Sequence, residues 1–593
     1  MSMPSATTTP DNWQSVFAAA GAPVRFDGAR KRALETGRNR LVITGLVFAL
    51  AFVGIGGRLI ALTVDGGGKI DRVVIVQPET ALASLPRGAG IQRADIVDRN
   101  GILLASSLPT VRVFADPKDV LDPAEAADRL VAILPELDRD TLMKRMTESS
   151  RFVWLTGILT PRQQYEVNRL GIPGIGFKRG ERRVYPHGRL AAHVLGLTDI
   201  DGTGIAGVEQ RFEPLLREAG EPLRLSLDIR VQAVVAEELA VSMSEFGALG
   251  GAALIMDANT AEILAMVSLP DFDPNNPNSI AGDAGFNRAT KGVYEMGSTF
   301  KLFTAAMALD SGSADLTARY DATQPLQVAR FTISDYHAEN RWLSLPEILI
   351  HSSNIGAAQI AMDVGTDSQK SYLSAFGLLD TPTVELPEIG RPLVPVTWRD
   401  INTMTIGFGH GIAVSPLQMV SAVSALVNGG TLRPASIVTR ETGDLPEGDA
   451  VISSETSRKM RALMRLVVEK GSGSKADVPG YLVGGKTGTA EKHGVGGYQR
   501  RALLSSFIAA FPMNKPRYVV FAMLDEPHGT DKTFGYATAG WTAAPVVRRV
   551  VSRIAPLVGM PPQLMAGDRK DGGKRMVAVE GGQVVRANHV VVE

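Results

Sequence analysis

The pattern of apolar and polar positions divides this chain into segments of different kinds. Residues 1–40 begin Ser/Thr/Pro-rich, without an apolar period, and read as disordered. Residues 41–64 are apolar apart from Arg58 and can span roughly 36 Å as a helix, enough for a bilayer core. From 93 to 105 the pattern alternates as in strands, with Asn100-Gly101 as a hairpin turn. Helices are predicted over 123–134, with Asp122 as N-cap and Pro123 at the first helical position, and over 142–148. A short strand at 223–228 leads into a long helix over 229–246. Strand pairs follow at 252–257/261–268 and at 503–511/518–524. Between 543 and 554, Val546, Val547, Val550, Val551 and Ile554 keep the period of a helix laid on a sheet. Strands at both ends of a domain with a helical middle predict an α+β fold: one antiparallel sheet covered by helices.

The most buried helix predicted starts at Gly297-Ser298-Thr299-Phe300-Lys301 and stops at Asp310-Ser311-Gly312. It is apolar on nearly every side, and Lys301 is its only cation. Ser298 and Lys301 are three apart and share a face. Burial lowers the pKa of an ammonium, and a neutral amine one turn from a hydroxyl can take its proton. The helix N-terminus also favours negative charge on the Ser298 oxygen. Alone, this four-residue pattern is frequent by chance and fits a serine near a cap and a lysine snorkelling outward better than a catalytic pair.

Composition narrows the picture. At 593 residues the chain holds several domains, and its 62 basic and 62 acidic residues leave no net charge to attract a nucleic acid. There is no cysteine, so disulfides and thiolate metal sites are excluded. The eight histidines show no ligand spacing, and no phosphate loop is present, so neither a metal nor another cofactor is expected. Charge also orients the apolar span. Arg25, Arg30, Lys31, Arg32, Arg38 and Arg40 precede it against Asp27 and Glu35, which places the N-terminus in the cytoplasm and the bulk of the chain outside the inner membrane. A cleaved signal peptide fits less well, because the preceding segment is long and no small-residue cleavage site follows.

Two further stretches give the serine helix a context. In His351-Ser352-Ser353-Asn354, polar residues sit between apolar runs, as in a turn between helices. Val483-Gly484-Gly485-Lys486-Thr487-Gly488-Thr489-Ala490 reads as a strand, equally an edge strand with a gatekeeper lysine, with glycines where something must approach the backbone closely. In order, these make S-x-x-K, S-x-N and K-T-G, and the set resembles the penicillin-binding proteins. The flanks Tyr294-Glu295-Met296-Gly297, Gly407-Phe408-Gly409-His410-Gly411 and Ser415-Pro416-Leu417-Gln418 are similar too, with Met296 where the family usually has proline. Arg93-Ala94-Asp95-Ile96-Val97-Asp98-Arg99-Asn100-Gly101 resembles the motif opening the non-catalytic domain of the class B members, with Ala94 in place of glycine. Arg182-Arg183-Val184-Tyr185-Pro186 and Gly204-Ile205-Ala206-Gly207-Val208-Glu209 match segments near its junction.

The resemblance implies five parts: a cytoplasmic tail (1–40), a transmembrane helix (41–64), an elongated pedestal (65–222), a transpeptidase domain (223–559) and a C-terminal tail (560–593). It implies a peptidoglycan D,D-transpeptidase acting on stem peptides and trapped by β-lactams. Ser298 would be the nucleophile and Lys301 its base. Ser352 would relay the proton, and Asn354 would hold the substrate peptide. Lys486, Thr487, Gly488 and Thr489 would bind the terminal carboxylate and help form the oxyanion hole. Length and flanks are most similar to the division-specific branch, which works with a SEDS-family glycan polymerase and other division proteins. Alternatives are the elongation-specific class B enzyme, a β-lactamase, an inactive scaffold and a β-lactam sensor. His351 and His410, near the motifs, read as structural.

Overall fold

The computed structural model describes residues 93–563 apart from 200, 219, 329–330, 441–442, 444 and 495–496, together with 579–580 and 583–584. The span predicted at 41–64 and most of the C-terminal tail lie outside these. Among the described residues no helix is long and apolar enough to cross a membrane.

The first part of the fold is a small sheet with helices against one side. Its elements are β1 (Ile96–Val97), β2 (Leu103–Ala115), α1 (Pro123–Ile133), α2 (Arg139–Met146), β3 (Val153–Leu159), α3 (Pro161–Arg169), β4 (Ile175–Val184) and β5 (Leu223–Arg224). The Asp122 carboxylate accepts from the N–H groups of Ala124 and Glu125, so α1 starts where its cap signal lies. The second helix begins earlier than its apolar residues suggest, because Asp138 caps it by accepting from Thr141 N. Val113, Ala115, Leu130, Leu142, Val153 and Leu155 form the core between sheet and helices.

Two expectations for this part need correction. The β1–β2 connection is not a two-residue Asn-Gly turn, since Val97 pairs with Leu103. The loop is built on Asp98, whose Oδ1 accepts from Asn100 N and Ile102 N at 2.8 Å each. The strand predicted over 223–228 is only Leu223–Arg224, pairing in parallel with β1.

Three motif segments meet at one buried carboxylate. Arg93 Nε and Arg183 Nε each donate to Glu209 at 2.7 Å, and the Tyr185 hydroxyl lies 3.3 Å from it. Glu209 is fully buried, so losing either arginine would leave a charge short of partners at a high desolvation cost. Asp98 ties this part to the next, because its Oδ2 accepts from Ile229 N at 3.1 Å, the first residue of the following helix. Asp98 is fully buried and serves three backbone donors. Asp98→Ala is expected to cost about 2–4 kcal/mol and lower the melting temperature by several degrees in calorimetry. A melting temperature unchanged within about a degree would contradict this role.

The second part is centred on a five-stranded antiparallel sheet. Its main elements are α4 (Ile229–Phe246), β6 (Gly250–Asp257), β7 (Ile263–Leu269), α5 (Lys301–Ser311), α6 (Leu345–His351), α7 (Asn354–Val364), α8 (Pro416–Val427), α9 (Ser454–Lys470), β8 (Gly484–Gly494), β9 (Gly497–Phe511), β10 (Tyr518–Asp525) and α10 (Ala543–Leu557). The strand order is β8-β9-β10-β6-β7. The alternation of strand residues assigns them to two cores. Leu254, Met256, Val519, Phe521 and Met523 face the layer containing α5 and α8. Ala253, Ile255, Val520, Ala522 and Leu524 face α4 and α10, meeting Val231, Val235, Leu239 and the predicted stripe Val546, Val547, Val550, Val551 and Ile554. With both faces covered, the central strands read as continuous apolar runs rather than as alternation. The α+β architecture expected from the sequence is present, with β8 at the sheet edge beside the serine helix.

Candidate active site

The serine does not sit on the α-helix itself. Gly297–Phe300 forms a 3₁₀ turn, and α5 begins at Lys301. The turn still places the two side chains together, with Lys301 Nζ 3.0 Å from Ser298 Oγ. The helix is buried from Lys301 to Leu309 and ends at Gly312 in the left-handed conformation, as its stop signal predicts.

The turn is pressed against β8, and two glycines make that approach feasible. Gly297 has φ +53°, and a Cβ there would lie 2.6 Å from the Thr489 carbonyl oxygen. A Cβ on Gly488 would lie 2.5 Å from the Met296 carbonyl oxygen and 2.5 Å from Ser506 Oγ. The glycine of K-T-G is therefore a steric requirement of the strand-to-turn contact. The flank segments hold the other side. Gly297 N donates to Gly409 O at 3.2 Å, Gly411 N to Glu295 Oε1 at 2.9 Å and Thr304 Oγ1 to Gly407 O at 2.8 Å. Met296, at the family's usual proline position, is buried.

Lys301 is 1% exposed, and its amine meets four groups. It donates to Ser352 O at 2.6 Å and to Asn354 Oδ1 at 2.7 Å, and lies 3.0 Å from Ser298 Oγ and 3.2 Å from Ser352 Oγ. The carbonyl and the amide oxygen only accept, so they take both N–H bonds of a neutral amine. The lone pair is then left for a hydroxyl proton. Burial pushes the Lys301 amine well below its ordinary value, the Lys486 charge adds to this, and Asp335 opposes it.

Ser352 ends α6 with φ +59° and ψ +41°, an unusual conformation for a residue with a side chain. That twist accompanies the aim of its carbonyl at Lys301. Asn354, two residues on, opens α7, with Ser353 as the N-cap whose Oγ accepts from Gly356 N at 3.0 Å. Asn354 Nδ2 donates to Ser334 O at 3.0 Å, which assigns Oδ1 to the Lys301 side.

Lys486 is on the edge strand as expected, but its side chain does not face solvent. It is fully buried, and its Nζ donates to Ser352 Oγ at 2.9 Å. Burial pushes its amine down to about 7. Ser352 Oγ thus lies between two amines, one from α5 and one from β8. Thr487 Oγ1 lies 2.7 Å from Ser472 Oγ, and Thr489 Oγ1 accepts from Ala539 N at 3.1 Å. Ser298, Lys301, Ser352, Asn354, Lys486, Thr487, Gly488 and Thr489 all fall in this one region. His351 pairs instead with Glu339 at 3.0 Å. His410 is mostly buried, and burial pushes its imidazole down. Asp335, Ser334, Ser472 and Ala539 were not marked by any sequence pattern. They lie on loops and reach the motifs only in three dimensions.

Comparisons with known proteins identify the family. Residues 251–552 match the penicillin-binding protein transpeptidase domain family, and residues 90–219 match the penicillin-binding protein dimerisation domain. The chain is 40% identical over 550 residues to a probable peptidoglycan D,D-transpeptidase FtsI of Caulobacter vibrioides, covering 90% of each. It is 30% identical to the peptidoglycan D,D-transpeptidase FtsI of Escherichia coli K12, covering 81% of this chain and 86% of that one. In fold it is similar to penicillin-binding protein 3 of Mycobacterium tuberculosis, solved with aztreonam, with a TM-score of 0.63, 24% identity and coverage of 80% and 97%. A dimerisation domain ahead of a transpeptidase domain, the three motifs at one site and this level of identity lead to one conclusion: the chain belongs to the class B penicillin-binding proteins, as a serine peptidoglycan D,D-transpeptidase of the FtsI type.

Proposed function

We propose that Ser298 is the nucleophile of a D,D-transpeptidase that cross-links stem peptides at the division septum. The hold on the Lys301 amine carries this reading, because two acceptor oxygens orient its lone pair toward Ser298. Ser298 Oγ attacks the carbonyl of the penultimate D-alanine, and its proton passes to Lys301 Nζ. Ser352 Oγ carries a proton to the departing D-alanine amine. Lys486, behind Ser352, supplies positive potential and keeps that hydroxyl aligned. Thr487 or Thr489 gives a hydroxyl to the substrate's terminal carboxylate, and the second N–H of Asn354 Nδ2 hydrogen-bonds the substrate's peptide. The N–H groups of Ser298 and Thr489 serve as oxyanion donors, each worth roughly 2.7–4 kcal/mol by analogy with other hydrolases. An amine from a neighbouring stem then releases the acyl-enzyme and forms the cross-link. β-Lactams enter as donor mimics and remain on Ser298.

The same reading gives the domain plan. Residues 41–64 anchor the chain in the inner membrane, with 1–40 cytoplasmic, 65–222 as pedestal, 223–559 as the periplasmic transpeptidase domain and 560–593 as tail. A SEDS-family glycan polymerase and other division proteins are its partners. The FtsI likeness over nearly the whole chain supports the septal role over the elongation role. Depletion in the native cell is expected to block constriction while growth continues, giving elongated or branched cells. Rounded cells that still divide would point to lateral-wall synthesis.

A further inference from the structure

Asp335 belongs to none of the three motifs, yet it holds one of them. It lies between the short strands Phe331–Ile333 and Trp342–Ser344. Its Oδ1 accepts from Asn354 N at 2.5 Å and Ile355 N at 3.0 Å, and its Oδ2 accepts from the Ser353 hydroxyl at 2.7 Å. These donors are the N-cap hydroxyl and the first two N–H groups of α7, where a carboxylate is favoured by the helix dipole. The neighbouring Ser334 carbonyl takes Asn354 Nδ2. One short segment thus fixes both the backbone of Asn354 and the orientation of its amide. Nothing in the motif itself does this, since Ser353 caps Gly356 and Ser352 is turned toward the two lysines.

We propose that Asp335 is a positioning residue for acylation: it clamps the Ser352–Asn354 turn so that Asn354 Oδ1 and Ser352 O stay on the Lys301 amine. The proposal rests on the reading of Lys301 as the general base. The charges facing Lys301 come from several elements. Lys486 on β8 disfavours the ammonium, and Asp335 favours it. His410, on the loop after residues 400–406, also faces Lys301 and is itself bordered by Glu295 and Glu491. Asp335 therefore helps hold the turn and also limits how far the Lys301 pKa falls. Removing the charge alone shifts the amine toward the neutral form, the form the base needs. A purely structural residue would not do that.

The test is the acylation rate of full-length protein in detergent by a fluorescent penicillin, followed from pH 5 to 9 with melting temperatures recorded in parallel. Asp335→Asn keeps the shape but loses the charge and the charge-assisted bonds. Its plateau rate is expected to fall about 10- to 100-fold, and its acid limb is expected to move to lower pH. Asp335→Glu keeps the charge on a longer arm, so its plateau is expected to fall while its acid limb stays where the wild type has it. An Asp335→Asn plateau within about twofold of wild type, or a lowered plateau with an unmoved limb, would overturn the proposal. If Asp335→Asn does not fold, Asp335→Glu decides, and a wild-type plateau overturns it. Wild type that fails to label Ser298 would sink the base reading itself, whatever the variants do. Labelled wild type with silent variants sinks only the role of Asp335.

Discussion

Lys301→Arg is expected to acylate with penicillin about 10²- to 10⁴-fold more slowly than wild type, the range that a positioned general base contributes. Lysine can act here because its amine can be neutral. Burial among apolar helix residues, with a second buried amine on β8, drives it toward that form. A guanidinium stays charged at any working pH, so it has no lone pair for the Ser298 proton. Arginine is also larger, and Lys301 is buried, so a stability loss of about 1–3 kcal/mol is expected alongside. The circular dichroism spectrum separates the two effects: a native spectrum with slow acylation is the expected pairing. Rapid, stoichiometric acylation of a folded Lys301→Arg would remove the base role.

Gly488→Ala is expected to be nearly as damaging without touching a reacting group. The new methyl would lie 2.5 Å from the Met296 carbonyl oxygen and from Ser506 Oγ, and 2.8 Å from Thr299 Cγ2. Two of these three neighbours belong to the serine turn or its approach, so relief comes by moving β8 away from Ser298. That displaces Thr489 and Lys486 from their places opposite the turn. A misplacement of about 1 Å can cost 10²-fold in rate, and a loss of that order is expected in the same labelling assay. Acylation at the wild-type rate would mean that the strand's distance from the turn is not critical.

These two effects also show what the sequence makes legible. The capped, periodic elements are local features: Asp228 and Gly247 bound the helix predicted over 229–246, and the observed helix has those limits. The serine helix ends at its predicted stop because Gly312 can take φ +74°. The sheet and its covering helices follow from apolar period, and the three motifs carry their own spacing. What is not legible depends on distance along the chain. Asp335 stands 18 positions before Ser353, in a stretch with no period and no motif, and only folding brings it to α7. Lys486 looks like a surface lysine on an edge strand, but it is fully buried and donates to Ser352 Oγ. The Asn100-Gly101 pair suggests a two-residue turn, yet a buried aspartate two residues earlier sets a longer loop. In each case a tertiary partner overrides a local preference.

The central claim is that Ser298 Oγ becomes covalently acylated. Intact-protein mass spectrometry after exposure to a penicillin tests it most directly, with peptide mapping to locate the adduct. Wild type is expected to gain one drug mass on the peptide containing Ser298, and Ser298→Ala is expected to gain none while keeping the wild-type circular dichroism spectrum. An adduct that persists in Ser298→Ala, or maps to another residue in wild type, would contradict the account.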